Sequence, residues 1–169
     1  MLKPVPKTAF DWLFSLMEQS FPPTEMRTKE GQKAVWEKEQ FHAWMDEQRR
    51  GFLTAWSLGD WLYLEHFAVD PSARGTGVGA RMLQEFLAQA KAPVFFEVEL
   101  PETEIAKRRI GFYERMGCIL NPYDYIQPPY RTEEAPLEMK IMSYPAPLDQ
   151  DTFCANRQML YQTVYGRRP

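Results

Sequence analysis

The stretch Tyr63-Leu-Glu-His-Phe-Ala-Val-Asp-Pro-Ser-Ala-Arg-Gly-Thr-Gly-Val-Gly79 joins a strand-like run to an arginine and three alternate glycines that open a helix. Gly75, Gly77 and Gly79 allow positive φ and close approach to a ligand, so successive N–H groups can converge as a nest for an anion such as a pyrophosphate. The helix that follows adds the positive end of its dipole. Downstream, Met82, Leu83, Phe86, Leu87 and Ala90 recur at helical spacing, and Ala92-Pro93 ends that run before the apolar Val94-Phe-Phe. The order is strand, anion loop, helix, strand.

A chain of 169 residues, 44% hydrophobic and 14% aromatic, suits one α/β domain over 1–169, with 148–169 as a C-terminal helical extension. A net charge of -3 argues against a nucleic-acid binder, since neutralising a phosphate backbone needs a basic face. Cys118 and Cys154 lack a second cysteine or a histidine at ligand spacing, so no metal is expected and both read as buried thiols in a reducing compartment. No apolar run approaches the roughly 20 residues of a membrane span, and no signal peptide precedes Pro4; a cytoplasmic protein is expected.

Working outward, Phe10, Leu13, Phe14 and Met17 mark a helix stopped by Pro22-Pro23, with Thr8 and Asp11 spaced as a capping box. Residues 28–40 fit a second helix in which Gly31 sits awkwardly. The runs 41–46, 51–56 and 61–69 read as an antiparallel meander, and 94–100 as a further strand. A helix over 104–116 ends at Gly117. Strands near 118–121 and 137–142 flank a loop rich in proline and tyrosine, and a terminal helix covers 149–165.

Arg74-x-x-Gly77-x-Gly79 after a strand ending at Val69, followed by Gly111-Phe-Tyr-Glu-Arg-Met-Gly117, resembles the two coenzyme motifs of the GCN5-related N-acetyltransferase superfamily. The resemblance covers residues 61–118. It implies a mixed, mostly antiparallel central sheet flanked by helices, splayed between two central strands where acetyl-CoA enters. It further implies that Arg74, Gly75, Thr76, Gly77, Val78 and Gly79 bind the pyrophosphate, while Phe67, Ala68 and Val69 pair through their main chain with the pantetheine arm. Tyr113 matches the tyrosine that protonates the departing thiolate, as a phenol within reach of the sulfur can. Independently, Gly111 in mid-helix costs about 1 kcal/mol relative to alanine and hints at close approach by another backbone or the coenzyme.

An amine acceptor must lose a proton before it attacks, and two strand glutamates qualify as base. Glu97 occupies the position of the strand glutamate found in several members of the superfamily. Glu65 shares a face with Phe67 and Val69 by period-two counting, with His66 on the opposite face. Glu99 is a weaker candidate on the face of Glu97. Lys107, Arg108 and Arg109 offer charge to coenzyme phosphates, although such a run equally suits a solvated helix face. The tyrosines at 123, 125 and 130, with Glu133 and Glu134, are a possible acceptor lining for a cationic amine.

The expected activity is acetyl transfer from acetyl-CoA to a primary amine of a small molecule or peptide; a homodimer is a family-level expectation. Two alternatives are a non-catalytic acyl-CoA-binding regulatory domain and a dinucleotide-binding oxidoreductase module. The second rests on Gly75-x-Gly77-x-x-Ala80 with Glu97 downstream, but Asp70 to Arg74 intervene between strand and glycines, and the later segments do not alternate strand with helix.

Overall fold

A computed structural model describes residues 1–167. Its strands are β1 (Leu2–Pro4), β2 (Phe41–Asp46), β3 (Gly51–Leu58), β4 (Trp61–Val69), β5 (Val94–Glu99), β6 (Ile119–Leu120), β7 (Tyr125–Gln127) and β8 (Leu137–Tyr144). Its helices are α1 (Phe10–Ser20), α2 (Lys29–Trp36), α3 (Val78–Gln89), α4 (Glu104–Arg115) and α5 (Gln150–Thr163). The sheet runs β1-β2-β3-β4-β5-β8-β6, with β7 also on β8. Every pairing is antiparallel except that of β4 with β5. This topology removes the dinucleotide-binding reading, which needs successive parallel βαβ units.

The helices cover both faces of the sheet. On one face Val78, Met82, Leu83, Phe86 and Leu87 of α3 and Ile110 of α4 pack against Leu53, Leu64, Val94, Phe96 and Met142. The other face is covered by α1, α2 and α5, with Val35, Phe153 and Leu160 against Trp56, Tyr63 and Phe95, and Leu13 and Met17 against Phe52. Trp56 and Tyr63 have no exposed surface, and burying aromatics of that size supplies much of the driving force for this face.

β4 and β5 pair only at Leu62 with Val94 and Tyr63 with Phe95, and then diverge as β4 continues to Val69 and β5 to Glu99. The expected splay therefore begins at the fourth residue of β4. β3 and β8 continue to hold the outer edges of the diverging strands, so the split is framed by paired backbone.

Three local expectations are corrected. The Thr8 capping box does not form: α1 starts after a 3-10 turn over Lys7–Ala9, and its N-cap Ala9 offers no side-chain bond. Gly31 is not an interruption but the third residue of α2, whose N–H donates to the Thr28 hydroxyl at 3.1 Å. Cys154 is exposed on α5, whereas Cys118 is buried.

Candidate active site

The last residues of β4 carry the first element of the site. Thr54 of β3 pairs with His66, and Ala55 with Leu64, which leaves Glu65 as an extra residue, a β-bulge. The bulge overturns the period-two assignment of faces. Leu64, Phe67 and Val69 face α3, while Glu65 and His66 share the opposite face. Beyond the bulge, the amides of His66 and Asp70 donate toward β3, to Thr54 Oγ1 at 3.1 Å and Arg50 O at 2.7 Å. By alternation, the amides of Phe67 and Val69 point to the unpaired edge at the split.

The glycine loop follows. Asp70 caps a short turn over Pro71–Ala73, accepting from Ser72 N at 2.8 Å, and delivers the chain to Arg74. Gly75 and Gly77 have φ of +77° and +80°. The amides of Arg74 and Thr76 turn back to Pro71 O and Ala73 O, at 3.4 Å each, and the first bond of α3 runs from Arg81 N to Gly77 O. The amides of Gly75, Gly77, Val78, Gly79 and Ala80 find no acceptor among the described residues. A Cβ placed on Gly75 would meet nothing within 4 Å among the described residues, so the loop presents an open face. A Cβ on Gly79 would lie 3.2 Å from Val69 Cγ2 and 3.4 Å from Phe67 Cζ, which fixes the start of α3 against the strand end. Arg74 has its Nε 3.2 Å from Val69 O.

A cleft of about 690 Å³ fills the split. Phe67, Val69, Val98 and Tyr113 line it from the α3 and α4 side, and Glu65, His66, Glu97 and Tyr130 from the side of α1, α2 and α5. It therefore opens through the sheet. Tyr113 packs on Phe96 with ring centroids 4.6 Å apart, and its hydroxyl has no protein partner among the described residues. Burial pushes the phenol up to about 12, against the opposing charge of Arg109. Arg109 is drawn to Glu99, Nη1 to Oε1 at 2.7 Å, and both line the cleft; Lys107 instead pairs with Glu104. Among the described residues, an added Cβ on Gly111 would meet only Arg115 Nη1 at 3.5 Å, so no other described backbone approaches there.

The two glutamates have opposite surroundings. Glu65 has no exposed side-chain surface; its carboxylate takes Arg27 Nη2 at 2.7 Å, Trp56 Nε1 at 2.9 Å and the Tyr130 hydroxyl at 3.2 Å. Burial opposes ionisation, but the Arg27 charge, with the adjoining His66, overcomes it and holds this carboxyl far below the usual carboxylate range. Glu97 has no cation partner among the described residues. Its oxygens accept from the hydroxyls of Tyr63 at 3.0 Å, of Tyr165 at 2.9 and 3.0 Å, and of Tyr125, and from the Gln127 amide. Desolvation prevails over these four neutral donors and raises Glu97 above its ordinary value.

Arg27, Gln127 and Tyr165 were missed in the sequence, where the first lies in an aperiodic link and the other two are far from either motif. Tyr130 stacks on His66, centroids 5.7 Å apart, beside the cleft, and Tyr125 reaches Glu97. Tyr123 instead donates to Leu148 O at 2.8 Å and stacks on Phe153, outside the cleft lining.

The sequence matches the family described as Acetyltransferase (GNAT) over residues 7–118. The chain belongs to this family. A GNAT-family protein from Bacteroides thetaiotaomicron, assigned as an acetyltransferase, is 34% identical over 99% of both chains, with a TM-score of 0.93. The ribosomal-protein-S18-alanine N-acetyltransferase from Escherichia coli shares the fold at 17% identity and a TM-score of 0.63, over 89% of this chain and 96% of its own. NAA60 of Arabidopsis thaliana in complex with acetyl-CoA does so at 13% identity and 0.62, over 85% of this chain and 97% of its own. Comparison with curated proteins finds none that matches. The GNAT match ends at Cys118, so β7, which carries Tyr125 and Gln127, and the segment after α5, which carries Tyr165, lie outside it. None of the described helices is long and apolar enough to cross a membrane.

Proposed function

We propose that this GNAT-family member moves an acetyl group from acetyl-CoA directly to a primary amine of a small molecule or peptide, with both substrates held in the cleft. The observation that carries this reading is the split between β4 and β5, which gathers free main-chain donors, a protonated phenol and a carboxylate around one cavity. The chain's own groups fit the coenzyme: five unpartnered amides at 75–80 suit a diphosphate, and the free strand edge at Phe67 and Val69 suits the amides of a pantetheine arm. When bound, acetyl-CoA supplies an activated thioester.

In the reaction a C–N bond forms and the C–S bond breaks. Glu97 takes the proton from the amine, and burial raises its affinity for that proton above the ordinary carboxylate level. The strand amides of Phe67 and Val69 hold the charge that develops on the carbonyl oxygen. Tyr113, which keeps its proton at working pH, offers it to the departing sulfur. The two side chains stand on opposite faces of the sheet, so the amine approaches from the α1, α2 and α5 side, and the sulfur leaves toward α4. Proximity supplies much of the acceleration. Glu65, committed to Arg27, serves in this scheme to hold the bulge.

The reading is tested by calorimetry with acetyl-CoA and by a screen of polyamines, aminoglycosides, amino acids and peptides that reads free thiol. Coenzyme binding with acceptor-dependent thiol release is expected. Binding without release from any acceptor favours the acyl-CoA-binding alternative, and no binding overturns both.

A further inference from the structure

Glu97 is gripped by a residue that lies beyond the last helix. After α5, Val164 N and Tyr165 N both turn back to Leu160 O, at 3.0 and 3.4 Å, and this bend carries Tyr165 under the sheet. Its hydroxyl stands 2.9 and 3.0 Å from the two Glu97 oxygens and 3.5 Å from the Tyr63 hydroxyl. Its ring packs on Tyr130 at a centroid distance of 5.1 Å. Arg27 fixes the same bend from the other side: Nη2 lies 3.2 Å from Val164 O and 2.7 Å from Glu65, and the guanidinium covers the Tyr130 ring at 4.9 Å. The buried ion pair at the bulge and the carboxylate across the split are thus joined through the C-terminal segment.

We propose that Tyr165 is a positioning residue for acetyl transfer, orienting the Glu97 carboxylate in the cleft and setting the pH range in which that carboxylate can accept a proton. The inference rests on Glu97 acting as the base, as proposed above. Tyr63 and Tyr125 stand in the sheet itself, whereas Tyr165 is the donor delivered by the helical C-terminal segment, and it reaches both oxygens. A hydrogen bond to the ionised form favours that form, and charge-assisted bonds are the stronger ones.

Among the described residues, the surroundings leave little else to titrate. Around Glu97 stand Tyr63 and Glu65 of β4, Tyr125 of β7, Tyr130, and Tyr161 of α5. Burial raises all four of these phenols, so they stay neutral, while Arg27 keeps Glu65 ionised. His66 is turned to Glu65 and to Glu25 O, and its Nε2 is 2.9 Å from that carbonyl.

The test is the pH profile of kcat/KM with a reactive amine acceptor, measured for wild type, Tyr165→Phe, Tyr123→Phe and Glu97→Gln. Tyr165→Phe removes one donor from the carboxylate, so the acidic limb should move up by about one pH unit, with acetyl-CoA affinity changed less than twofold. Tyr123→Phe deletes another phenolic hydroxyl that bonds Leu148 O, and should leave the limb in place. If Tyr165→Phe fails to fold, a ring-fluorinated tyrosine at 165 keeps the ring and strengthens the donor; the limb should then move down. An unmoved limb in Tyr165→Phe, or in the fluorinated protein, refutes the inference even if turnover falls. If Glu97→Gln keeps the wild-type limb, the base assignment falls and this inference with it. If Glu97→Gln loses the limb while Tyr165→Phe retains it, the inference alone fails.

Discussion

Arg27 Nη2 lies 2.7 Å from Glu65 Oε1, with the two side chains 9% and 0% exposed, and the carboxylate belongs to the bulge that turns β4 toward the cleft. Removing one partner of such a pair leaves the other charge buried without compensation, at a cost of about 3–5 kcal/mol. Glu65→Gln and Arg27→Met should each lower Tm by on the order of 10 °C. The folded-state value of Glu65 is depressed, so its stabilising contribution is present above the unfolded value of 4.5 and fades as pH falls below it. Thermal melts should show the gap between wild type and Glu65→Gln narrowing in acid; a gap independent of pH would refute this assignment.

For Glu97 the sign is reversed. Its folded-state value is raised above 4.5, so the protonated form is the one favoured by folding, and that contribution is lost as pH rises through the raised value. Wild type should therefore gain stability relative to Glu97→Gln as pH is lowered from neutrality toward 4.5. The same variant should abolish the acidic limb of kcat/KM and lower turnover by roughly 10²-fold or more. Melts and rate profiles on one pair of proteins check both.

Because the Tyr113 hydroxyl bonds no protein group among the described residues, Tyr113→Phe should change Tm by no more than about 0.5 kcal/mol would produce. Turnover should nevertheless fall by roughly 10²-fold, with acetyl-CoA affinity within twofold of wild type. Equal turnover in the variant would remove Tyr113 from the reaction.

At Gly77 a side chain must adopt φ of +80°, which costs about 1–2 kcal/mol for any L-residue and more for a branched one. Gly77→Val should lower Tm by a few degrees and abolish measurable binding of acetyl-CoA. Unchanged affinity by calorimetry would place the diphosphate elsewhere.

The meander over residues 41–69, the strand at 94–99 and α3 were readable because local alternation and helical spacing persist through them, and their turns are polar or carry glycine or proline. The loop could be read because three glycines in five residues have few explanations other than backbone geometry. Other features had no local signature. β1 and β7, three residues each, are too short to establish a period and exist only through β2 and β8. Arg27 sits between Met26 and the cap of α2, and nothing nearby announces a partner on β4. Tyr165 meets Glu97 only because α5 folds back beneath the sheet. Counting by twos put Glu65 on the face of Phe67 and Val69 instead of with His66, since a bulge adds a residue without changing composition.

One supernumerary residue in β4 thus places two consecutive side chains, Glu65 and His66, on one side of the sheet while Leu64 and Phe67 stay on the other. Removing Glu65 would close the ladder into a regular one, with Leu64 still opposite Ala55 and His66 still opposite Thr54, so Phe67 and Val69 would keep their faces and their amide directions while Arg27 lost its buried counter-charge. A one-codon loss at that position would therefore leave the strand end in frame with its cavity and take away only the anchor beneath it.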